Sequence, residues 1–490
     1  FGSSHFGSRP PGSGLPRQEA MPSAQCLEEP LREEELGCSS APPPSAKSVW
    51  LRVLGAAALV MLSSGLVLAS AALHDPFVKA GVYGDLCHPA GAACEAQDVA
   101  LDELFSVSAA GQNLNGIVVA WLHRRLQRRR TILLSAVLFG VSFLGMGLGV
   151  SGLPKGVQDW LLPASFLTQG FAGSAFCLAT MTYAQDMREV SYRAEPRVVA
   201  LLTAMQDLAA LSALPVTAAA AAPWGPTLQG GLIILGVVSF LGVTAFGHVA
   251  DVPGIGPRVA LGGDRAPAAS DGWLDVRVCL AWLALSVSTL QTYFYMSTFE
   301  DQARLFLPRG AVRLQLELFA VLYPVLSFAF SFVHSELLAS SATAVWRGWA
   351  LLAVAAPAWG VLSTRQGELS QVVAMVFFLF WRIGVFVVFY EECLERAHAA
   401  GSDFGTLSLG GLTLAGAATF LSVPLTWWAS SPPEAGRGFV VADLFLTLLS
   451  SCTAMAAACM AYSKGPSGCS ALGPSARAPG LRLECSTQGA

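Results

Sequence analysis

Leu369–Tyr390 reads LSQVVAMVFFLFWRIGVFVVFY, and this stretch decides the fold class. A single membrane-crossing helix takes about 20 apolar residues, and the run is long enough to be one. Its only charged side chain is Arg382. A guanidinium cannot shed its proton, so at that depth it needs a partner or water. An intramembrane charge is a functional candidate by default. The alternative is a charge that pairs or snorkels for structural reasons alone.

Working outward, the same apolar length recurs along the chain. The runs are 49–73, 104–122, 131–153, 159–183, 198–222, 227–250, 276–298, 314–335, 343–363, 369–390, 404–428 and 439–462. Twelve spans predict an all-α integral membrane protein. The fourth, fifth and eleventh are softened by Gly, Ala and Ser, which let helix backbones approach closely in lipid. A Gly/Pro/Asp-rich connection at 251–275 follows the sixth span. The expected organisation is therefore an N-terminal six-helix bundle at 49–250, a loop at 251–275 and a C-terminal six-helix bundle at 276–462.

Composition agrees with a polytopic protein. The 490 residues are 53% hydrophobic and 13% charged, against about 25% charged in a soluble domain. The mean hydropathy is +0.54. A formal net charge of −4 argues against a nucleic-acid partner. The ends read differently. FGSSHFGSRP repeats Phe-Gly-Ser at Phe1 and Phe6, and the first Met is Met21, so 1–20 reads as a translated leader. Residues 21–48 are acidic and Pro-rich, and with 463–490 they are expected to be disordered tails. No short cleavable signal is present, so the first apolar run is expected to stay in the mature chain.

Loop charge sets an expected orientation. One set of loops holds Arg124, Arg125, Arg128, Arg129, Arg130, Arg188, Arg193, Arg197, Arg258, Arg265, Arg277, Arg347 and Arg396. The other holds only Lys79, Lys155, Arg304, Arg309, Arg313, Arg365 and Arg437. The bias puts both termini in the cytosol, although Arg304–Arg313 runs against it.

Between spans two and three lies HRRLQRRRT, His123–Thr131. It occupies the place of the major facilitator superfamily's GxxxDRxGRR signature. Aligned on the basic end, Arg125 matches the Arg, and Arg128 and Arg129 match the basic pair. Gln127 replaces the Gly, and Arg124 stands where the acid is expected. That acid helps latch the two halves in the family, so any latch here must use another group. A plain stop-transfer basic loop is the alternative for these residues. Further patches are GVYGDLC at Gly81–Cys87, LFSVSAAGQNLNG before the basic loop, STLQTYFYMSTFEDQ at Ser288–Gln302, and FFLFWRIGVFVVFYEECLE followed by DFGTLSLGGLTL at Asp403–Leu414. In this order the series resembles the facilitator-superfamily transporters of large neutral amino acids and the related apicomplexan amino-acid transporters. The likeness runs over most of 49–462. It implies two bundles rocking about a midplane site. It also implies secondary transport of amino acids without ATP, in a family that spans neutral, aromatic and cationic substrates; neutral or aromatic ones are expected here.

An amino-acid zwitterion needs a cation for its carboxylate and an acid for its ammonium. Arg382 offers a two-pronged carboxylate clamp. Asp207, within span five, could take the ammonium or pair with Arg382. Gln291 and Tyr295 share one face of span seven, Tyr293 lies on another, and all three could bond substrate or anchor at an interface. Asn113 in span two and Gln169 in span four could do the same or serve as helix–helix bonds. Ser64, in Ser63-Ser64-Gly65, could open a backbone site or pack closely. Arg125, Arg128 and Arg129 form the candidate gating loop. Cys87 and Cys94, seven residues apart in the first outer loop, are a candidate disulfide; two free thiols are the alternative.

There is no HExxH, no paired metal-ligand spacing and no GxxxxGK[ST]. Neither an enzyme, a metal, a cofactor nor an ATP-driven pump is expected. The expected partners are a small-molecule substrate and the lipid bilayer, with the chain a monomer in the plasma membrane, an internal membrane being the alternative. Other readings are the same fold carrying an organic anion or sugar, or a non-transporting nutrient sensor.

Overall fold

The computed structural model describes residues 45–64, 70–87, 94–151, 153–221, 227–252, 275–340, 344–400, 402–431 and 437–463. The leader at 1–20, most of both tails and most of the 251–275 connection lie outside them. The N-terminal tail expected to reach 48 is shorter at its inner end. Helix α1 (Ala46–Ser63) starts there because the Ser45 hydroxyl accepts from the Ser48 amide at 3.2 Å, an N-cap.

The described chain is helical throughout. After α1 come α2 (Ser70–Lys79), α3 (Glu95–Asn113), α4 (Gly116–Val150), α5 (Lys155–Val190), α6 (Glu195–Leu208), α7 (Ala213–Ala221) and α8 (Leu228–Val249). The second half holds α9 (Val276–Phe306), α10 (Arg309–Ala339), α11 (Ala344–Ser363), α12 (Glu368–Ala400), α13 (Phe404–Thr419), α14 (Ser422–Ser430) and α15 (Arg437–Ser463). Eleven of the described segments are long and apolar enough to cross a membrane.

The twelfth span is hidden in α4, which is two helices joined at Gln127, the one residue within it with non-helical dihedrals (φ 63°, ψ 176°). Gly111 and Gly145 lie on either side of this break, yet both press on the same part of α5. A Cβ on Gly111 would fall 2.5 Å from the Leu167 carbonyl oxygen, and one on Gly145 would strike the Ser165 hydroxyl. The chain therefore reverses at Gln127. Span two is α3 plus the start of α4, and span three is the remainder. The HRRLQRRRT loop is thus a single-residue corner between helical turns.

Spans two, five and eleven are each interrupted, at 114–115, 209–212 and 420–421. Broken helices are tolerated at membrane depth only where protein covers the freed backbone groups. Exposed apolar side chains such as Leu51, Val141, Val237 and Leu448 line the outer surface, as lipid requires. Each half has its own aromatic core. Phe77, Phe105 and Phe166 meet edge to face in the first. In the second, Tyr295 meets Trp359 edge to face, while Trp359 is tilted against Phe378 and stacked on Trp381.

In the first outer loop Cys87 and Cys94 are joined in a disulfide with Cα atoms 5.7 Å apart. Closing so short a loop stabilises the fold by about 2–3 kcal/mol on the chain-entropy model. An impermeant maleimide should label neither thiol in sealed cells until a reductant is added; labelling of both without reduction would remove the bond.

Candidate functional site

The two halves meet along one face. Between them α6 packs on α10 and α12, and α13 packs on α3 and α4. The outer segments α2, α7 and α14 instead pack mainly within their own halves. The joined side carries the Arg124–Arg130 corner and is called here the basic face.

Ion pairs bridge the halves on this face. Arg197 on α6 clamps Glu336 on α10 with two hydrogen bonds, 2.7 and 3.0 Å. Arg124 reaches Asp403 at 3.8 Å, and His398 reaches Glu195 at 3.8 Å. Asp403 also caps α13, accepting from the Thr406 amide at 2.9 Å. The missing acid of the corner is therefore supplied from the opposite half: a cation at position 124 faces a carboxylate at the start of span eleven. Arg128 is tied within its own half, to Asp186 at 2.6 Å and over the Tyr183 ring at 4.3 Å. Arg129 lies 3.2 Å from His248, and Arg125 lies over Trp121. On the other face the ion pairs among the described residues stay within one half, as with Lys155–Asp85 and Arg313–Glu317.

Arg197 and Glu336 are each about half exposed, and such a pair is worth about 0.2–1 kcal/mol. Arg197→Glu should lower the closed-basic-face population by up to about fivefold. Adding Glu336→Arg should restore it, read as spin-label distances across that face. A swap no better than the single reversal would deny the pair a gating role.

Deeper in, between the halves, lies Arg382. Its Nη1 donates to Asp207 Oδ2 at 2.5 Å, and both side chains are at most 8% exposed. Asp207 comes from α6 and Arg382 from α12, one partner from each half. Asp207 stands within span five, where α6 passes into a 3-10 turn at Ala209–Ser212. A carboxylate there needs its cation. Arg382 also lies over the rings of Tyr323 (4.9 Å) and Phe386 (5.7 Å). Its Nε has no hydrogen-bond partner. Tyr293 borders Arg382, Asp207 and Asn113. Tyr293 and Asn113 are half-buried rather than sealed. The group thus combines a cation, an anion, an amide and aromatic faces at the seam between halves.

No protein-family model and no curated protein sequence matches the chain. Solved structures do. The proton:xylose symporter XylE, bound to 6-bromo-6-deoxy-D-glucose, superposes with a TM-score of 0.57 at 14% identity, over 85% of this chain and 96% of that one. The E. coli fucose:proton symporter gives 0.59 at 11%, over 84% and 99%. A bacterial homologue of the iron transporter ferroportin, in an outward-facing state, gives 0.56 at 12%, over 85% and 100%. The chain has the major facilitator fold.

Within that fold the other candidate residues separate. Gln291 is fully buried inside the second bundle, donating to Thr447 Oγ1 at 2.8 Å and accepting from Ser450 at 2.5 Å. Tyr295 shares its face and lies buried against Trp359 and Phe378. Gln169 is buried in the first bundle, accepting from Ser108 at 2.9 Å and donating to the Ser63 carbonyl at 3.2 Å. Ser64 ends α1 and is buried with its hydroxyl unpartnered. Of the candidates, Arg382, Asp207, Tyr293 and Asn113 come together between the halves; Gln291, Tyr295, Gln169 and Ser64 lie inside one bundle. Tyr323 and Phe386 were not anticipated. Tyr323 precedes Pro324 in an apolar run, and only that adjacent proline sets it apart from ordinary core.

Proposed function

We propose that the chain is a secondary carrier that moves amino acids, neutral or aromatic, by alternating access and without ATP. The observation that carries this reading is the Arg382–Asp207 pair, shared between the halves of a major facilitator fold. A zwitterion replaces both partners at once, its carboxylate on Arg382 and its ammonium on Asp207. An anion would leave Asp207 stranded in a dry site, and a buried unpaired charge is strongly destabilising. A sugar could bind beside the pair without opening it. Tyr323, Phe386 and Tyr293 offer faces for an apolar or aromatic side chain. Arg382 has an unpartnered Nε with which to begin the exchange.

The solved neighbours are named for sugars and iron, so the substrate class rests on these residues and on the family resemblance. A sugar is the reading that competes. Liposomes holding the purified chain should take up labelled leucine or phenylalanine, with competition by other amino acids and not by xylose or fucose. Sugar uptake without amino-acid uptake would reverse the assignment.

The loop-charge bias supports a cytosolic basic face and two cytosolic termini, with the chain acting as a monomer in the plasma membrane. The halves then stand closed toward the cytosol. Tags after Met21 and after Ala490 should both resist external protease in sealed cells; one exposed and one protected tag would break the even span count.

A further inference from the structure

One buried acid has no part in the site between the halves. Asp443 lies on α15, is 1% exposed, and its Oδ1 has no hydrogen-bond partner. Asp443 belongs to a polar seam between α9 and α15 inside the second bundle. From α9 come Gln291, Tyr295, Thr298 and Gln302, spaced to share one face; from α15 come Asp443, Thr447 and Ser450. All seven are at most 4% exposed. The lower part of the seam is closed, since Gln291 bonds both Thr447 and Ser450. The upper part is not. Gln302 donates to Thr298 at 2.9 Å and lies against Asp443. The Tyr295 hydroxyl, beside Asp443, and the Trp359 Nε1, beside Tyr295, are both buried with no partner.

Asp443 forms no ion pair with a described Lys, Arg or His. Tyr295 is the titratable side chain that faces it from α9. Glu300, Asp301 and Arg304 on the same helix are exposed. On α11 the charged residue is Arg347, near its start at the basic face; α14 has none, and on α15 Arg437 is exposed at the first turn. In a lipid-embedded apolar bundle an unpaired carboxylate is stable only with a proton or a cation on it. The Tyr295 hydroxyl beside Asp443 can donate to the carboxylate when its proton leaves and accept from the carboxylic acid when the proton is on, so both protonation states have a partner.

We propose that Asp443 is a proton-binding site, and that its loading from the face opposite the basic one couples the carrier to a proton gradient. The proton adds to a carboxylate oxygen from water and leaves again to water, with no other bond made or broken. The coupling rests on the carrier reading above; the binding does not.

Both parts are tested with the full chain in liposomes. Infrared difference spectra on raising pH should show loss of a carboxylic-acid C=O band in wild type. The band should be absent in Asp443→Asn and shifted in Asp443→Glu. Identical bands in wild type and either variant overturn the site. Loss of the band on adding sodium or potassium chloride at fixed pH overturns the proton assignment in favour of a metal cation. With labelled leucine as probe, an inward gradient of one pH unit should drive accumulation up to about tenfold in wild type. Asp443→Asn should reach only equal concentrations on the two sides, and undiminished accumulation overturns the coupling. Should wild type move no leucine, the carrier reading fails while the infrared result still decides the site.

Discussion

Arg382→Lys is expected to reach the membrane and to bind substrate about 30-fold or more weakly than wild type. The charge survives, but a compact ammonium cannot present two parallel N–H groups to a carboxylate. Nor does it offer the broad guanidinium that lies over the Tyr323 and Phe386 rings. Losing one charged contact in a desolvated site costs on the order of 2–5 kcal/mol, and the lower figure already corresponds to about thirtyfold. The pairing with Asp207 makes a second variant decisive. Arg382→Gln alone strands a buried carboxylate at the end of α6, so its loss could be purely structural. Arg382→Gln with Asp207→Asn strands nothing. If the two residues only strut the halves, the double variant should recover expression and transport together. We expect it to recover expression and remain inactive. Uptake of labelled leucine, normalised to surface protein, separates the two outcomes. Wild-type affinity in Arg382→Lys, or full transport in the double variant, would make Arg382 a strut.

Gly116→Leu is expected to abolish transport by holding the basic face apart. Gly116 opens α4 where span two crosses span eleven. A Cβ there would lie 2.6 Å from the Leu409 carbonyl oxygen and 2.7 Å from the Thr413 hydroxyl. The adjacent Ile117 amide donates to that same hydroxyl at 3.2 Å. The obstacle includes backbone from the other half, so no rotamer change relieves it. Overpacking of a close contact costs about 1–3 kcal/mol, here charged only against the conformation in which the halves touch. The closed-basic-face population should fall by about fivefold to more than a hundredfold. Cysteines placed at Arg124 and Asp403 should cross-link readily in the parent and poorly with Gly116→Leu. Unchanged cross-linking together with normal uptake would show that this crossing is not a moving contact.

The spans were legible because twenty apolar residues in a row admit few structures in lipid: a helix satisfies its own backbone, and nothing else at that depth does. Arg382 was legible for the same reason, as a charge where solvation is absent. The breaks were less so. Ser63-Ser64 marks the end of α1, but nothing at Leu114-Asn115 distinguishes a kink from a continuing turn. The corner at Gln127 was read as a loop of basic residues. Its helical sides follow from Arg128 and Thr131 finding partners on α5 and within α4.

What the sequence by itself determined is the set of membrane helices, their division into two sixes, and the presence of isolated polar groups within them. Hydropathy is a property of each segment alone, so it survives without knowledge of neighbours. Only the tertiary structure decided which polar groups meet. Gln291 and Arg382 each look like a lone polar residue in an apolar run. One turns inward to bond Thr447 and Ser450 of its own bundle, and the other turns across to Asp207 of the opposite bundle. The partner of Arg124 was equally hidden, because Asp403 lies 279 residues further along the chain. A side chain's direction around a helix depends on which helices surround it, and that is set by packing between segments far apart in sequence.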